Sequence, residues 1–156
     1  MATGDDLRGL MRRFPSGVAV VTIDLAGQQL GLTVGSLVSL SLDPPLVGVS
    51  VSRFAALHEL LREAGGFAAS LLAAGQEALA QHFARGVPPI ALWTGIEVRE
   101  GARGPLLEGA LGWVECSLSA EAAAGDHTVF VGAVERAEPG RASVPLVYLD
   151  GRYVSL

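Results

Sequence analysis

Apolar positions change period repeatedly along the chain, and each change marks an element. Leu7, Leu10, Met11 and Phe14 recur at helical spacing behind Asp5 and Asp6, either of which is a cap candidate, and Pro15-Ser16-Gly17 ends that helix. Val18-Ala19-Val20-Val21-Thr22-Ile23 is a β-branched run, Ala26-Gly27 a turn, and Gln28 to Leu32 a return strand. Beyond Gly35, Leu37, Leu40 and Leu42 alternate loosely with Ser36, Ser39 and Ser41 until Pro44-Pro45 stops the strand. Leu46 to Val51 is another apolar strand. Leu57, Leu60 and Leu61 then give Phe54 to Ala64 an i, i+3, i+4 helical face, closed by Gly65-Gly66.

The second half continues in short elements. Phe67 to Leu72 reads as a strand and Gln76 to Ala84 as an amphipathic helix with Leu79 and Phe83 inward. Pro88-Pro89 predicts a loop without helix from Arg85 to Thr94, with Trp93 packing over a neighbour. Leu111 to Ala120 alternates, Val114, Cys116 and Leu118 against Glu115, Ser117 and Ser119, which predicts a half-exposed strand. Gly125-Asp126 turns the chain into Thr128 to Val134, apolar on both faces, hence central or covered by another subunit. Pro145 to Leu149, the Asp150-Gly151 turn and Arg152 to Leu156 form a closing hairpin. Many short antiparallel strands with few helices predict a mainly β barrel with peripheral short helices. Regular βαβ alternation is missing, and no G-x-G-x-x-G follows a strand.

Composition narrows the function classes. A chain of 156 residues, half of them apolar, suits a single domain over 1–156. The net charge is −5 and every positive charge is arginine, because the chain has no Lys, and no Asn either. Both absences suit a GC-rich bacterial coding bias. An acidic, unclustered charge pattern argues against nucleic acid or an anionic membrane as partner. The one cysteine, Cys116, excludes an intrachain disulfide or a Cys-x-x-Cys pair and reads as core. No apolar run has spanning length and the first residues are acidic, so a cytoplasmic protein is expected.

The stretch Gly31 to Pro45 carries the most specific local chemistry. A glycine turn feeding a hydroxyl-lined strand suits a phosphate and the polar edge of a heterocycle, and equally a Ser-rich hairpin with no ligand. One cysteine and three separated histidines (His58, His82, His127) cannot store two electrons, so any redox chemistry belongs to an organic cofactor. Hydride transfer needs stacking and orientation more than acid–base help, so hydroxyls, backbone N–H groups and one arginine suffice. Arg53 at a helix start opposes the dipole unless an anion is present, which favours a phosphate there. His58 and His82 are expected to face solvent, and Trp93 and Trp113 to pack. Tyr148 and Tyr153 serve barrel packing or ligand contact.

Several blocks in order resemble the flavin reductase family, the FMN-binding split barrel of the reductase partners of two-component monooxygenases. They are Arg13 to Thr22, Gly31 to Pro45, Phe67 to Leu72, Gly104 to Ala110, Gly125-Asp126-His127 and Pro145 to Tyr153. The resemblance implies a homodimeric antiparallel split β-barrel that binds FMN or FAD near the subunit interface. It also implies reduction of that flavin by NADH or NADPH, and reduced flavin passed to an oxygenase component. By position, Thr33, Val34, Gly35 and Ser36 resemble the flavin-contacting turn, with Ser39 and Ser41 on its strand. Ser50, Val51, Ser52 and Arg53 resemble the phosphate-side segment, Phe67, Ala68 and Ser70 the strand that follows it, and Tyr153 is a further contact. His127 is placed at the mouth of the site, touching nicotinamide or the flavin edge; its other reading is a turn histidine bonded to neighbouring backbone. The chain departs from the family pattern at Gly35 and Ser70, usually Asn, at Ala55, usually Ser, and at Arg53, where Lys is frequent. Two alternatives are kept. One is a non-catalytic flavin-binding or dimeric interaction module. The other is a different split-barrel flavoenzyme, such as a pyridoxamine phosphate oxidase-like protein, which would call for a more basic phosphate pocket.

Overall fold

The computed structural model describes all residues from Met1 to Leu156. Helix α1 (Gly4–Met11) is capped by Thr3, not by the aspartates: the Thr3 hydroxyl accepts from Asp6 N–H at 3.1 Å, and the Asp6 carboxylate accepts from Thr3 N–H at 2.8 Å. After β1 (Ser16–Gly17), β2 (Ala19–Leu25) and β3 (Gln28–Val34) form a hairpin over Ala26-Gly27, where both residues have positive φ. Such a turn matches the twist of the two strands. A second hairpin joins β4 (Val38–Leu42) to β5 (Pro45–Ser52) through a cis Asp43–Pro44 peptide. Pro44 therefore turns the chain and Pro45 opens the next strand.

Helix α2 (Ala56–Ala64) starts two residues later than its periodicity suggested, with Ala55 as N-cap. It is followed by β6 (Gly66–Leu71), α3 (Glu77–Ala84) and α4 (Pro89–Leu92). The one-turn α4 corrects the expectation of loop: Pro89 sits in its first turn, where the missing N–H would have had no partner. The chain ends with β7 (Val98–Arg99), β8 (Leu106–Leu107), the long pair β9 (Gly112–Ala124) and β10 (His127–Pro139), and the hairpin β11 (Leu146–Leu149) and β12 (Arg152–Ser155).

Seven strands form one antiparallel sheet in the order β3-β2-β6-β9-β10-β5-β4; β1, β11 and β12 form a second, and β7 and β8 a short ribbon. The large sheet rolls until its end strand β3 returns to β5. There the Ser36 hydroxyl donates to the Ser50 carbonyl at 2.8 Å and accepts from Ser50 N–H at 3.1 Å. A single stitch at the seam leaves the barrel split, as the resemblance implies. Strand β10 is central, between β9 and β5, which explains apolar residues on both its faces.

The barrel core is built on Phe67, Phe130, Ile23 and Leu61, with α2 laying Leu57 and Leu61 on it. Ala68, Leu106, Ala110 and Trp113 pack as a smaller cluster outside β6 and β9. That cover closes both faces of the first part of β9, where a half-exposed strand was expected, and leaves the strand exposed from Ser119 on. Glu115, placed on the solvent face by alternation, is 2% exposed and accepts from Arg103 N–H at 3.0 Å.

Candidate functional site

The seam opens into a cleft of about 390 Å³ where three segments distant in sequence converge. The end of β3 brings Leu32 to Ser36, the end of β5 brings Ser50 to Ser52, and the start of β10 brings His127, with Ala55 at the lip. They meet because β5 and β10 pair antiparallel, which sets His127 opposite Ser52, while Ser36 ties the end of β3 to Ser50. Eight of the expected site residues line this one cleft: Thr33, Val34, Gly35, Ser36, Ser50, Val51, Ser52 and His127.

Much of its hydroxyl chemistry is already engaged by the fold. Thr33 donates to the Ala80 carbonyl at 2.7 Å, which docks α3, and Ser36 is the seam stitch. Ser52 Oγ accepts from Phe54 N–H at 3.2 Å and keeps its own proton to donate. Ser50 and Ser52 are thus the hydroxyls left for a ligand. Gly35 is fixed by close approach: a Cβ there would lie 2.7 Å from Ser16 Oγ, so an Asn at this position requires Ser16 to move.

His127 is 43% exposed, and its Nδ1 lies 2.7 Å from Asp126 Oδ1. A carboxylate can only accept, so the proton sits on Nδ1 and a neutral ring presents Nε2 as an acceptor. The same hydrogen bond holds the Asp126 carboxyl below the usual carboxylate range. Asp126 was not singled out from sequence, although its adjacency to the histidine was the available signal. The Asp126 carbonyl also accepts from Arg53 N–H at 2.9 Å, so one turn fixes both the histidine and the arginine backbone.

Arg53 stands beside the cleft, exposed, with a long 3.4 Å contact from its guanidinium to the Gly125 carbonyl and no carboxylate partner. Two residues on, Ala55 caps α2 without any side-chain hydrogen bond. An unpaired cation next to an uncapped helix N-terminus suits a phosphate. Arg53 also lines a polar cavity of about 250 Å³ together with His58, Glu59 and Arg62 of α2.

The remaining expected residues lie elsewhere. Ser39 and Ser41 are on β4, the far end of the sheet, and line no part of the cleft. Phe67, Ala68 and Ser70 are fully buried in β6, and Ser70 Oγ accepts from Leu107 N–H at 3.0 Å. Motif position brought them into the candidate set; the central place of β6 in the sheet removes them from contact with this cleft. Tyr153 packs against Tyr148, the rings tilted with centroids 5.3 Å apart, in a small adjoining cavity that shares Thr33, Val34 and Gly35 with the cleft.

Two other expectations are corrected. His58 is 3% exposed: its Nδ1 donates to Glu59 at 2.9 Å, and its Nε2 accepts from Thr128 at 2.7 Å. His82 is half-buried and donates from Nε2 to the Leu92 carbonyl at 2.6 Å. Both tryptophans pack, Trp93 against Phe83 and Trp113 in the outer cluster. Burial pushes the Cys116 thiol up to about 12, which leaves it inert at neutral pH.

The profile of a family described as "Flavin reductase like domain" matches residues 11–156. The reductase component of 4-hydroxyphenylacetate 3-monooxygenase from Thermus thermophilus is 43% identical, over 92% of this chain and 90% of that protein. The structure of the NADH:FAD oxidoreductase of Streptomyces globisporus C-1027 superposes with a TM-score of 0.93 at 34% identity, covering 100% of this chain and 96% of that one. A third, the flavin reductase component of a bacterial two-component tryptophan halogenase, has a TM-score of 0.91 at 39% identity and covers 99% and 98%.

Proposed function

The chain belongs to the flavin reductase family, and from that premise we propose that the seam cleft is where it holds a flavin for reduction by a nicotinamide nucleotide. The protein is an NAD(P)H:flavin oxidoreductase acting on FMN or FAD. That activity sets aside the non-catalytic module and the pyridoxamine phosphate oxidase-like reading. One observation carries the assignment of the site: β3, β5 and β10 deliver free hydroxyls and a histidine acceptor to a single cleft, with the unpaired Arg53 following directly on Ser52 beside it.

The residues present fit a flavin. Arg53 and the uncapped start of α2 meet the phosphate with opposite charge. Ser50 and Ser52 meet hydroxyl or ring heteroatoms, and Leu32, Val34 and Val51 give the cleft its apolar surface and exclude water from the ring. When bound, the flavin supplies a two-electron acceptor for the nicotinamide hydride. His127 does not take a proton from carbon, since hydride transfer releases none. Its Nε2 accepts from an amide N–H, and so orients the nicotinamide carboxamide.

A homodimer accounts for apolar surface that the single chain leaves bare. No residue of α1 is buried, Leu7, Leu10, Met11 and Phe14 are exposed, and Val38, Leu40 and Leu42 are exposed along β4. Obligate interfaces are large and apolar, so light scattering should find a dimer at micromolar protein, and a monomer would refute it. The same reading makes the protein cytoplasmic and pairs it with an oxygenase component that consumes the reduced flavin. No helix is long and apolar enough to cross a membrane.

The test is NADH and NADPH oxidation with and without added FMN or FAD, read beside the visible absorbance of the purified protein. Flavin-dependent oxidation is expected. No oxidation with either flavin would refute the assignment.

A further inference from the structure

Next to the seam cleft, and sharing Leu32 and Ala55 with it, lies a second cavity of about 380 Å³. Its walls are apolar: Leu30 of β3, Phe54 ahead of α2, Phe83 of α3, and Val87, Pro88 and Leu92 of the segment that carries α4. No charged side chain lines it. Phe54 is the unusual member. It is 90% exposed and directly follows Arg53, so a large aromatic face stands open to water beside the arginine proposed to hold the phosphate.

We propose that this cavity is the adenine seat of FAD, with Phe54 as the stacking platform, and that the protein takes FAD in preference to FMN. The inference rests on the placement of the flavin phosphate at Arg53. FMN ends at that phosphate, whereas FAD continues through a second phosphate to adenosine. The continuation has two cavities to enter, both lined in part by α2. The polar one is lined by Arg53, Arg62, Glu59 and Glu121, with Arg62 paired to the two carboxylates at 2.8 and 2.7 Å, and Ala123 is its one apolar wall, so it gives a neutral purine little to pack on. The apolar one offers what a neutral purine needs: an aromatic face, proline edges and no charge. Its size falls within the range of small-molecule sites, of which a purine fills a part. The uncapped first turn of α2 lines both cavities, Ala56 and Leu57 the apolar one and His58 and Glu59 the polar one, so the N–H groups of Ala56 and Leu57 are placed to meet the second phosphate.

The experiment titrates the whole protein with FAD, FMN and riboflavin, followed by flavin fluorescence without nicotinamide, for wild type, Phe54→Ala, Phe54→Trp and Arg53→Ala. Wild type should bind FAD about ten-fold tighter than FMN, the scale of one base–aromatic stack. Phe54→Ala should abolish that preference through loss of FAD affinity alone, and Phe54→Trp should restore it. Ile90, exposed on the same segment but outside the cavity, supplies the control: Ile90→Ala should leave the preference intact. Equal wild-type affinities for FAD and FMN would overturn the adenine seat, as would a preference that survives Phe54→Ala. So would a switch of Phe54→Ala to a lower oligomeric state with the preference unchanged, since Phe54 would then belong to a subunit contact. Failure of the underlying reading looks different: Arg53→Ala would bind FMN as wild type does, removing the phosphate from Arg53 whatever Phe54 does.

Discussion

The imidazole Nδ1 of His127 and the carboxylate Oδ1 of Asp126 lie 2.7 Å apart, side by side at the turn that opens β10. The pair is solvated, so its worth to stability is small; its consequence is that the ring is aimed and its proton placed. His127→Ala should lower the NAD(P)H-dependent reduction rate, or raise the apparent nicotinamide constant, by about ten-fold, the scale of one lost positioning contact. Flavin affinity should change little. Asp126→Ala should act in the same direction more weakly. Stopped-flow reduction of the flavin-loaded variants decides it: the same rate and nicotinamide dependence as wild type would make His127 structural.

Arg53 has no carboxylate to neutralise it, so a bound phosphate gains most of its charge. Arg53→Ala should weaken FMN by roughly ten- to a hundred-fold while riboflavin loses little, in line with about 1.5 to 3 kcal/mol for a charge-assisted hydrogen bond. Equal losses for the two flavins would remove the phosphate role.

Thr128 and His58 join β10 to α2 beneath the Arg53 segment, both buried. Thr128→Val keeps the shape but leaves His58 Nε2 without its donor, at a cost of about 1 to 3 kcal/mol. A lowered urea midpoint with unchanged m-value is expected. An unchanged midpoint would mean that water or a rotated imidazole replaces the bond.

Glu135 and Glu138 are held below the ordinary value of 4.5, by hydrogen bonds from Arg103 and Arg99 respectively, and Glu59 by the bond from His58. A folded-state value below the unfolded one means that the folded protein favours the ionised carboxylate. The stabilisation is therefore complete above the unfolded value and is lost as pH falls through the folded value. Urea midpoints should be flat above about pH 5 and decline below it, and Arg103→Gln should shallow the decline. All three carboxylates are solvated, so each contribution is small and their sum is what the titration reads. A midpoint independent of pH down to about 3 would refute this.

The sequence by itself determined the strands and the family. The β-branched run from Val18 to Ile23 and a two-residue turn at Ala26-Gly27 are local properties of the chain, and they fold as they read. Blocks such as Gly125-Asp126-His127 marked the site region for the same reason: each is short and contiguous. What only the tertiary structure decided is the partner of each polar group. Thr33 and Ser36 read as ligand hydroxyls, yet their partners are the carbonyls of Ala80 and Ser50, brought in by α3 and β5. His58 read as solvated and is buried because Thr128, 70 positions away, supplies its second hydrogen bond. Ser70 read as a cofactor contact and is sealed under the segment containing Leu107. Periodicity reports which way a side chain leaves the backbone. Whether it then meets water, a ligand or a distant carbonyl depends on how the sheet closes, and sheet closure is set by contacts between residues that no local window contains.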